Sequence, residues 1–464
     1  MLQQSPVIVR DLVELEPAEH RLFAFLAVAV ALSIGIHCWI GPEELQRSHV
    51  VLGRWLLYGE PVDTPAHPMW GYAIVITLLG PCTPFFNGAA GFASYLWAYR
   101  EMNLGRAMPS AFTYFATLVY AAIVGSWHDS ALWLSAVLAA TALLYKYGVT
   151  AAAPGAAVGV LWGLAYNIRS EALLFFAAFL IASFAYHWLA RLPTPLRHHV
   201  AALAAFVAMM VPWGLYTEAT LGKYSPTSTN GGAVAYSSLG LIPDNGHGIQ
   251  MKDEYVFEQA KLFGEVTPWS SRSNDYFRAE YIRLITTEPS LFAKKIAWGV
   301  FTMLKSALYF PDFRALVVST PQDEARLAYL YLDFKTYIGV PEKFLWADRT
   351  RIPYKQPRST QTVSITDILT VGGTLVTRSA MTLAFCIALI QFIFLLGKPS
   401  TAKPWGPLVP LSVSMLLSTL AISALLIPSG RLNTAVFVFI ALLLQMARCT
   451  SPARARSLSE IPPY

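Results

Sequence analysis

Charged residues are scarce in this chain: Asp, Glu, Lys and Arg make up 13% of it, against about 25% in a soluble domain. So few charges cannot keep a folded surface hydrated, which excludes an ordinary soluble protein. Cysteine is scarcer still, with four residues, Cys38, Cys82, Cys386 and Cys449. They are scattered in or beside apolar runs and form no CxxC pair. Neither a disulfide framework nor a zinc site is therefore expected. There is no internal repeat of the kind carriers often show. No small-x-small cleavage site follows the first apolar run, which reads as an uncleaved first helix.

What is abundant is apolar sequence. Hydrophobic residues make up 55% of the chain, with 13 Trp and 22 Tyr, rings that favour bilayer interfaces. Runs long enough to cross a bilayer lie near 21–40, 82–99, 108–126, 130–146, 151–168, 172–190, 200–216, 366–397, 406–427 and 432–448. The expected fold is an all-α polytopic membrane protein of about ten transmembrane helices. The net charge of +6 belongs to topology, with no nucleic-acid partner implied. Arg21, Arg100, Arg106, Lys146, Arg191, Arg197, Lys398, Lys403 and Arg448 fall on alternating turns, which the positive-inside rule makes cytoplasmic. Both termini are then cytoplasmic.

This divides the chain into a cytoplasmic segment 1–20, a transmembrane module 21–216, an outer region 217–365, C-terminal transmembrane helices 366–448 and a cytoplasmic tail 449–464. A first outer loop, 41–68, interrupts the transmembrane module. Pro68 to Gly80 is too short to cross alone; it dips into the bilayer or continues brokenly through Pro81 and Pro84 into the second span. Lys294 to Phe310 is long enough to cross but carries Lys294, Lys295 and Lys305. It reads as an interfacial amphipathic helix on the outer face. The outer region is rich in turn-formers and ends in an amphipathic helix, Tyr276 to Thr287. Polar loops of this size exceed what helix connection requires, which points to function.

The candidate chemistry gathers at outer helix ends. Glu43 and Glu44 follow the first span; Trp127-His128-Asp129-Ser130 and Arg169-Ser170-Glu171 occupy later outer turns; Arg431 precedes the last run. Plainer roles compete with functional ones at each. Glu43 and Glu44 suit a helix start, and Asp129 could simply cap the helix beginning at Ser130. Arg169 and Glu171 could be a structural ion pair, Arg431 an interfacial anchor, and the lysines snorkelling cations. A divalent metal bridging His128, Asp129 and a glutamate is a further alternative. The aromatic residues of the first loop read as interfacial packing before sugar platforms.

Taken in order, these elements resemble the GT-C glycosyltransferases, in particular the bacterial branch similar to protein O-mannosyltransferases and lipid A aminoarabinose transferases. An acidic pair after the first helix, Gly53-x-x-Leu56-x-x-Gly59, and His67-Pro68-Met69-Trp70 follow that family's first-loop pattern. Gly163-Leu164-Ala165-x-x-x-Arg169-x-Glu171-Ala172 and Pro212-Trp213 also fall in family order. Here Glu43-Glu44 stands where Asp is commoner, and Leu432 replaces the Tyr that relatives place after the arginine. The resemblance implies transfer of a sugar from a polyprenyl-phosphate donor to a lipid, glycan or protein acceptor at the periplasmic face of a bacterial inner membrane. It implies Glu44, Asp129 or Glu43 as catalytic carboxylate, and Arg54, Arg169, Arg431 and Lys294 near the donor phosphate. His67, His128, Glu171 and Trp70 would contact substrate. Rival readings are a transporter or flippase for a lipid-linked glycan, an O-antigen polymerase or ligase, and a non-catalytic subunit of GT-C architecture.

Overall fold

The computed structural model describes residues 17–41, 45–60, 69–149, 151–193, 195–305, 308–309, 327, 330, 364–396, 406–427 and 429–449. Among them every regular element is helical. Eight helical stretches are long and apolar enough to cross a membrane by length and composition, including Trp70–Glu101 as one stretch. Ala111–Val124 and Ala152–Ile168 are apolar but shorter. This is the architecture of a multi-pass membrane protein.

The first half comprises α1 (Pro17–Ile40), α2 (Leu45–Tyr58), α3 (Trp70–Leu79), α4 (Thr83–Glu101), α5 (Ala111–Val124), α6 (Ser130–Tyr147), α7 (Ala152–Ile168), α8 (Ala172–Leu189) and α9 (Leu196–Leu221). Between α3 and α4 a single 3-10 turn, Gly80–Cys82, replaces α-helix. Pro81 and Pro84 each lack the N–H that an uninterrupted helix would need. The broken continuation is thus the form taken by the segment after Pro68.

Close helix approach depends on small residues. A side chain on Gly159 of α7 would run into the Ala202 carbonyl of α9, so the two backbones meet where only hydrogen fits. Around that seam Trp162, Phe176 and Phe206 are buried, and Phe176 stacks on Phe206 with ring centroids 4.5 Å apart. Apolar side chains instead face outward along α8 and α9, including Ile181, Leu196, Val200, Leu203 and Val207. An outward apolar face of this kind is solvated by lipid tails.

Residues 231–305 fold as a helical lobe: α10 (Gly231–Ser237), α11 (Asp253–Leu262), α12 (Ser271–Thr287) and α13 (Pro289–Lys305). Its own core gathers Tyr236, Leu239, Ile249, Phe277, Leu284 and Leu291. Each such large apolar side chain contributes roughly 1.5–3 kcal/mol on full burial. The lobe joins the C-terminal helices α14 (Ile365–Leu396), α15 (Leu408–Leu425) and α16 (Gly430–Cys449) at the end of α15. The carbonyls there need partners once the helix stops. Tyr281 donates its hydroxyl to the Leu425 oxygen at 3.0 Å, and Ser238 reaches the same oxygen at 3.5 Å. Lys295 Nζ donates to the Leu426 oxygen at 2.7 Å and the Ser423 oxygen at 3.4 Å. A cation at the negative end of the helix dipole is favourable. Gly299 lets α13 lie against the Ser423 carbonyl.

Candidate functional site

The turns α5–α6, α7–α8 and α15–α16, the last turn of α1 and the chain just after α13 meet at one end of the helix bundle. They carry most of the candidate residues. Asp129 occupies the N-cap position of α6 but makes no capping hydrogen bond. Its carboxylate instead accepts from Arg169 Nη1 at 3.2 Å and from the Ser130 hydroxyl at 3.2 Å. The same Arg169 nitrogen donates to Ser130 Oγ at 2.8 Å, while Nη2 donates to Glu171 Oε1 at 2.8 Å. Arg169 can do this because helix α7 ends at Ile168, leaving the arginine in extended backbone that turns its side chain across to α6.

Arg431 comes from the first turn of α16. Its Nη1 stands 4.0 Å from Asp129 Oδ1, and its Nη2 lies 3.4 Å from His128 Nε2. The guanidinium sits 6.0 Å from the centroid of the Tyr309 ring, a cation–π distance. His128 meets Tyr309 edge to face at 5.2 Å. Below them His37 Nε2 and the Tyr309 hydroxyl are 3.1 Å apart, and His37 Nδ1 lies 2.8 Å from the Ser33 carbonyl. The Trp127 indole donates to the His37 carbonyl at 3.2 Å, fastening the α5–α6 turn to the end of α1. Tyr72 of α3 donates to the Trp127 carbonyl and stands edge to face with His49 at 5.3 Å.

Electrostatics follow from this packing. The Asp129 side chain is only 16% exposed and that of Arg169 13%. Burial works against ionisation of Asp129, but Arg169, then Arg431, His49 and His128, outweigh it and hold the carboxyl well below the usual range. Burial likewise opposes the Arg169 charge, and Asp129 and Glu171 more than restore it. The result is a fixed anion and a fixed cation side by side, with Arg431 more loosely held beside them.

Thus His128, Asp129, Arg169, Glu171 and Arg431 come together. Trp70 supports them from one layer back: its indole donates to Asn167 Oδ1 at 2.9 Å, two residues before Arg169. Arg54 lies on α2, solvent-exposed and 3.9 Å from Glu60. Lys294 is exposed on α13, and its neighbour Lys295 is the buried lysine. Neither Arg54 nor Lys294 joins the cluster among the described residues. Glu43, Glu44 and His67 lie outside the described residues. No group of three His, Cys, Asp or Glu side chains placed to hold a metal occurs among the described residues.

Three participants were not among the sequence candidates. His37 and Ser33 lie inside an apolar run, where an i, i+4 polar pair is a weak signal. Tyr309 ends the apolar stretch after α13 and carries no motif. No protein family's profile matches the chain, and the comparisons found no curated protein or solved structure similar to it.

Proposed function

We propose that the chain is a GT-C-type membrane glycosyltransferase, with about ten spans and both termini cytoplasmic, acting at the outer face of a bacterial inner membrane. The observation that carries this reading is the convergence of Asp129, Arg169, Glu171, His128, Arg431 and Tyr309 from separate helix ends at one end of an apolar bundle. Ionisable groups are costly at such depth and tend to serve a purpose. A polyprenyl-phosphate donor lies in the bilayer and presents its sugar at that level.

In the proposed reaction the bond between the sugar anomeric carbon and the carrier phosphate oxygen breaks, and its electron pair leaves with the phosphate. The acceptor oxygen attacks from the opposite face and its proton passes to a carboxylate base, so the configuration inverts. Developing phosphate charge calls for a cation, and Arg431, less tightly paired than Arg169, is the one we assign to it. Asp129, held ionised by two arginines, is a weak base and a firm anchor; its role is to orient them. The base is assigned to Glu44, with Glu43 beside it.

The test is transfer of labelled sugar from polyprenyl-phosphate donors to membrane-extract acceptors by purified protein in lipid. Wild type should transfer, Glu44→Gln should lose transfer while inserting normally, and Arg431→Gln should raise the donor KM. Wild-type activity in Glu44→Gln would remove that residue from the mechanism. A carrier of lipid-linked glycans is the second reading, favoured by the helix break at Gly80–Cys82. Movement of intact donor across the bilayer without transfer would support it instead.

A further inference from the structure

At the opposite end of α8 the chain builds a second polar feature, unrelated to the Asp129 cluster. The helix is 18 residues long, so its ends are roughly 27 Å apart at 1.5 Å per residue, about the thickness of a bilayer core. Its last turn and the following loop line an open groove of about 890 Å³ walled by Phe184, His187, Trp188, Leu189, Arg191 and Leu192.

The local backbone fixes how these side chains are offered. The amide of Leu192 donates to the His187 carbonyl at 2.8 Å and that of Arg191 to the Trp188 carbonyl at 3.2 Å, the paired bonds that end a helix when the residue after the cap turns left-handed. That residue is Arg191, with φ of 54°. Glycine is the usual occupant because a side chain there is strained. Here an arginine accepts the strain, and its guanidinium is exposed at the groove. No carboxylate pairs with Arg191 among the described residues. His187 Nδ1 lies 2.7 Å from the Pro193 carbonyl oxygen, which can only accept, so Nδ1 carries the proton. Nε2 is left as the acceptor of a side chain that lines the groove while only 9% exposed.

We propose that this groove binds the headgroup of an anionic phospholipid, the phosphate on Arg191 and the headgroup hydroxyl on His187. Charge complementarity supplies the choice of occupant: a cation without a carboxylate faces a groove at the end of a membrane-crossing helix. Trp188 and Leu189 stand 80% and 74% exposed at its edge, placing an interfacial ring and an apolar side chain at the headgroup boundary. The outward apolar faces of α8 and α9, from Ile181 on one and Leu196 to Val207 on the other, continue from the groove as a track for the acyl chains.

The experiment reconstitutes the full chain in vesicles of equal phosphatidylglycerol and phosphatidylcholine, extracts it gently and counts retained lipids by native mass spectrometry. Wild type should retain phosphatidylglycerol over phosphatidylcholine by about fivefold, the factor one surface cation supplies against an anionic lipid. Arg191→Gly should lose the preference while melting no lower than wild type, because glycine suits the left-handed position. His187→Gln should weaken retention with Arg191 intact. Arg106→Gln, an exposed cation away from the groove, should leave it unchanged. Equal retention of the two lipids by wild type, or an unaltered preference in Arg191→Gly, would overturn the proposal.

Discussion

Replacing Asp129 by Asn tests whether the ion cluster is held together as its geometry indicates. The substitution keeps shape and one acceptor for Ser130, and removes the charge facing Arg169 at 3.2 Å and Arg431 at 4.0 Å. Removing one partner of a fully buried ion pair costs about 3–5 kcal/mol. Two features reduce that here: both side chains keep some exposure, and Glu171 still holds Arg169 at 2.8 Å. The expected loss is therefore about 1–3 kcal/mol, or about 1 °C of melting temperature per kcal/mol for a chain of 464 residues. The decisive measurement is a double-mutant cycle with Arg169→Met in detergent or lipid. A coupling energy of about 1–3 kcal/mol is expected for a direct pair. Additivity of the two substitutions within about 0.5 kcal/mol would refute the pairing. The sign with pH is also fixed. Because the folded carboxyl titrates below its unfolded value near 3.9, its stabilisation is complete above that value and disappears as pH falls through the lower, folded one. Above the ordinary histidine range near 6.5, where His49 and His128 no longer change charge beside Asp129, the wild-type and Asn proteins should therefore keep a constant difference in stability.

Lys295 behaves in the opposite sense. Burial pushes its amine down to about 7, so the unfolded chain binds more protons between that value and the ordinary one near 10.4, and stability should rise with pH across the interval. Lys295→Met should flatten that rise in a chemical-denaturation series; an unchanged slope would assign the effect elsewhere. Gly159→Leu should drive the α7 and α9 backbones apart at Ala202, lowering stability by about 1–3 kcal/mol by overpacking. A wild-type melting curve for that variant would show that the seam is looser than described.

The transmembrane layout was legible because lipid demands long apolar runs, and the runs near 21–40, 172–190 and 432–448 emerge as α1, α8 and α16. Proline signalled the break at Gly80–Cys82, since a missing N–H is written in the residue itself. Among site residues, Asp129, Arg169, Glu171, His128 and Arg431 stood out as polar groups in short turns between apolar runs, where few other residues compete for attention. Their partners were harder to read. His37 is one polar side chain in an apolar helix, and Tyr309 becomes relevant only once α13 places it under Arg431. In the lobe, the amphipathic helix expected from Tyr276 to Thr287 lies within α12, but the core was not legible: Tyr236, Phe277 and Leu284, spaced too widely to look like a run, gather there. Lys295 and Lys294 are adjacent and identical in sequence. Helix rotation alone sends one into the protein and leaves the other outside.

The capped end of α15 has a consequence for biosynthesis. Ser238, Tyr281 and Lys295 bond carbonyls that lie 187, 144 and 128 to 131 residues later in the chain. A ribosome making the protein from its N-terminus releases the lobe long before those carbonyls exist. Until α15 is inserted, the amine of Lys295 has no helix end to settle on. The lobe therefore waits for α15 to be made. A chain that stopped short of α15 would leave the lobe without the carbonyls that anchor it, so the packing of the lobe depends on that helix being made.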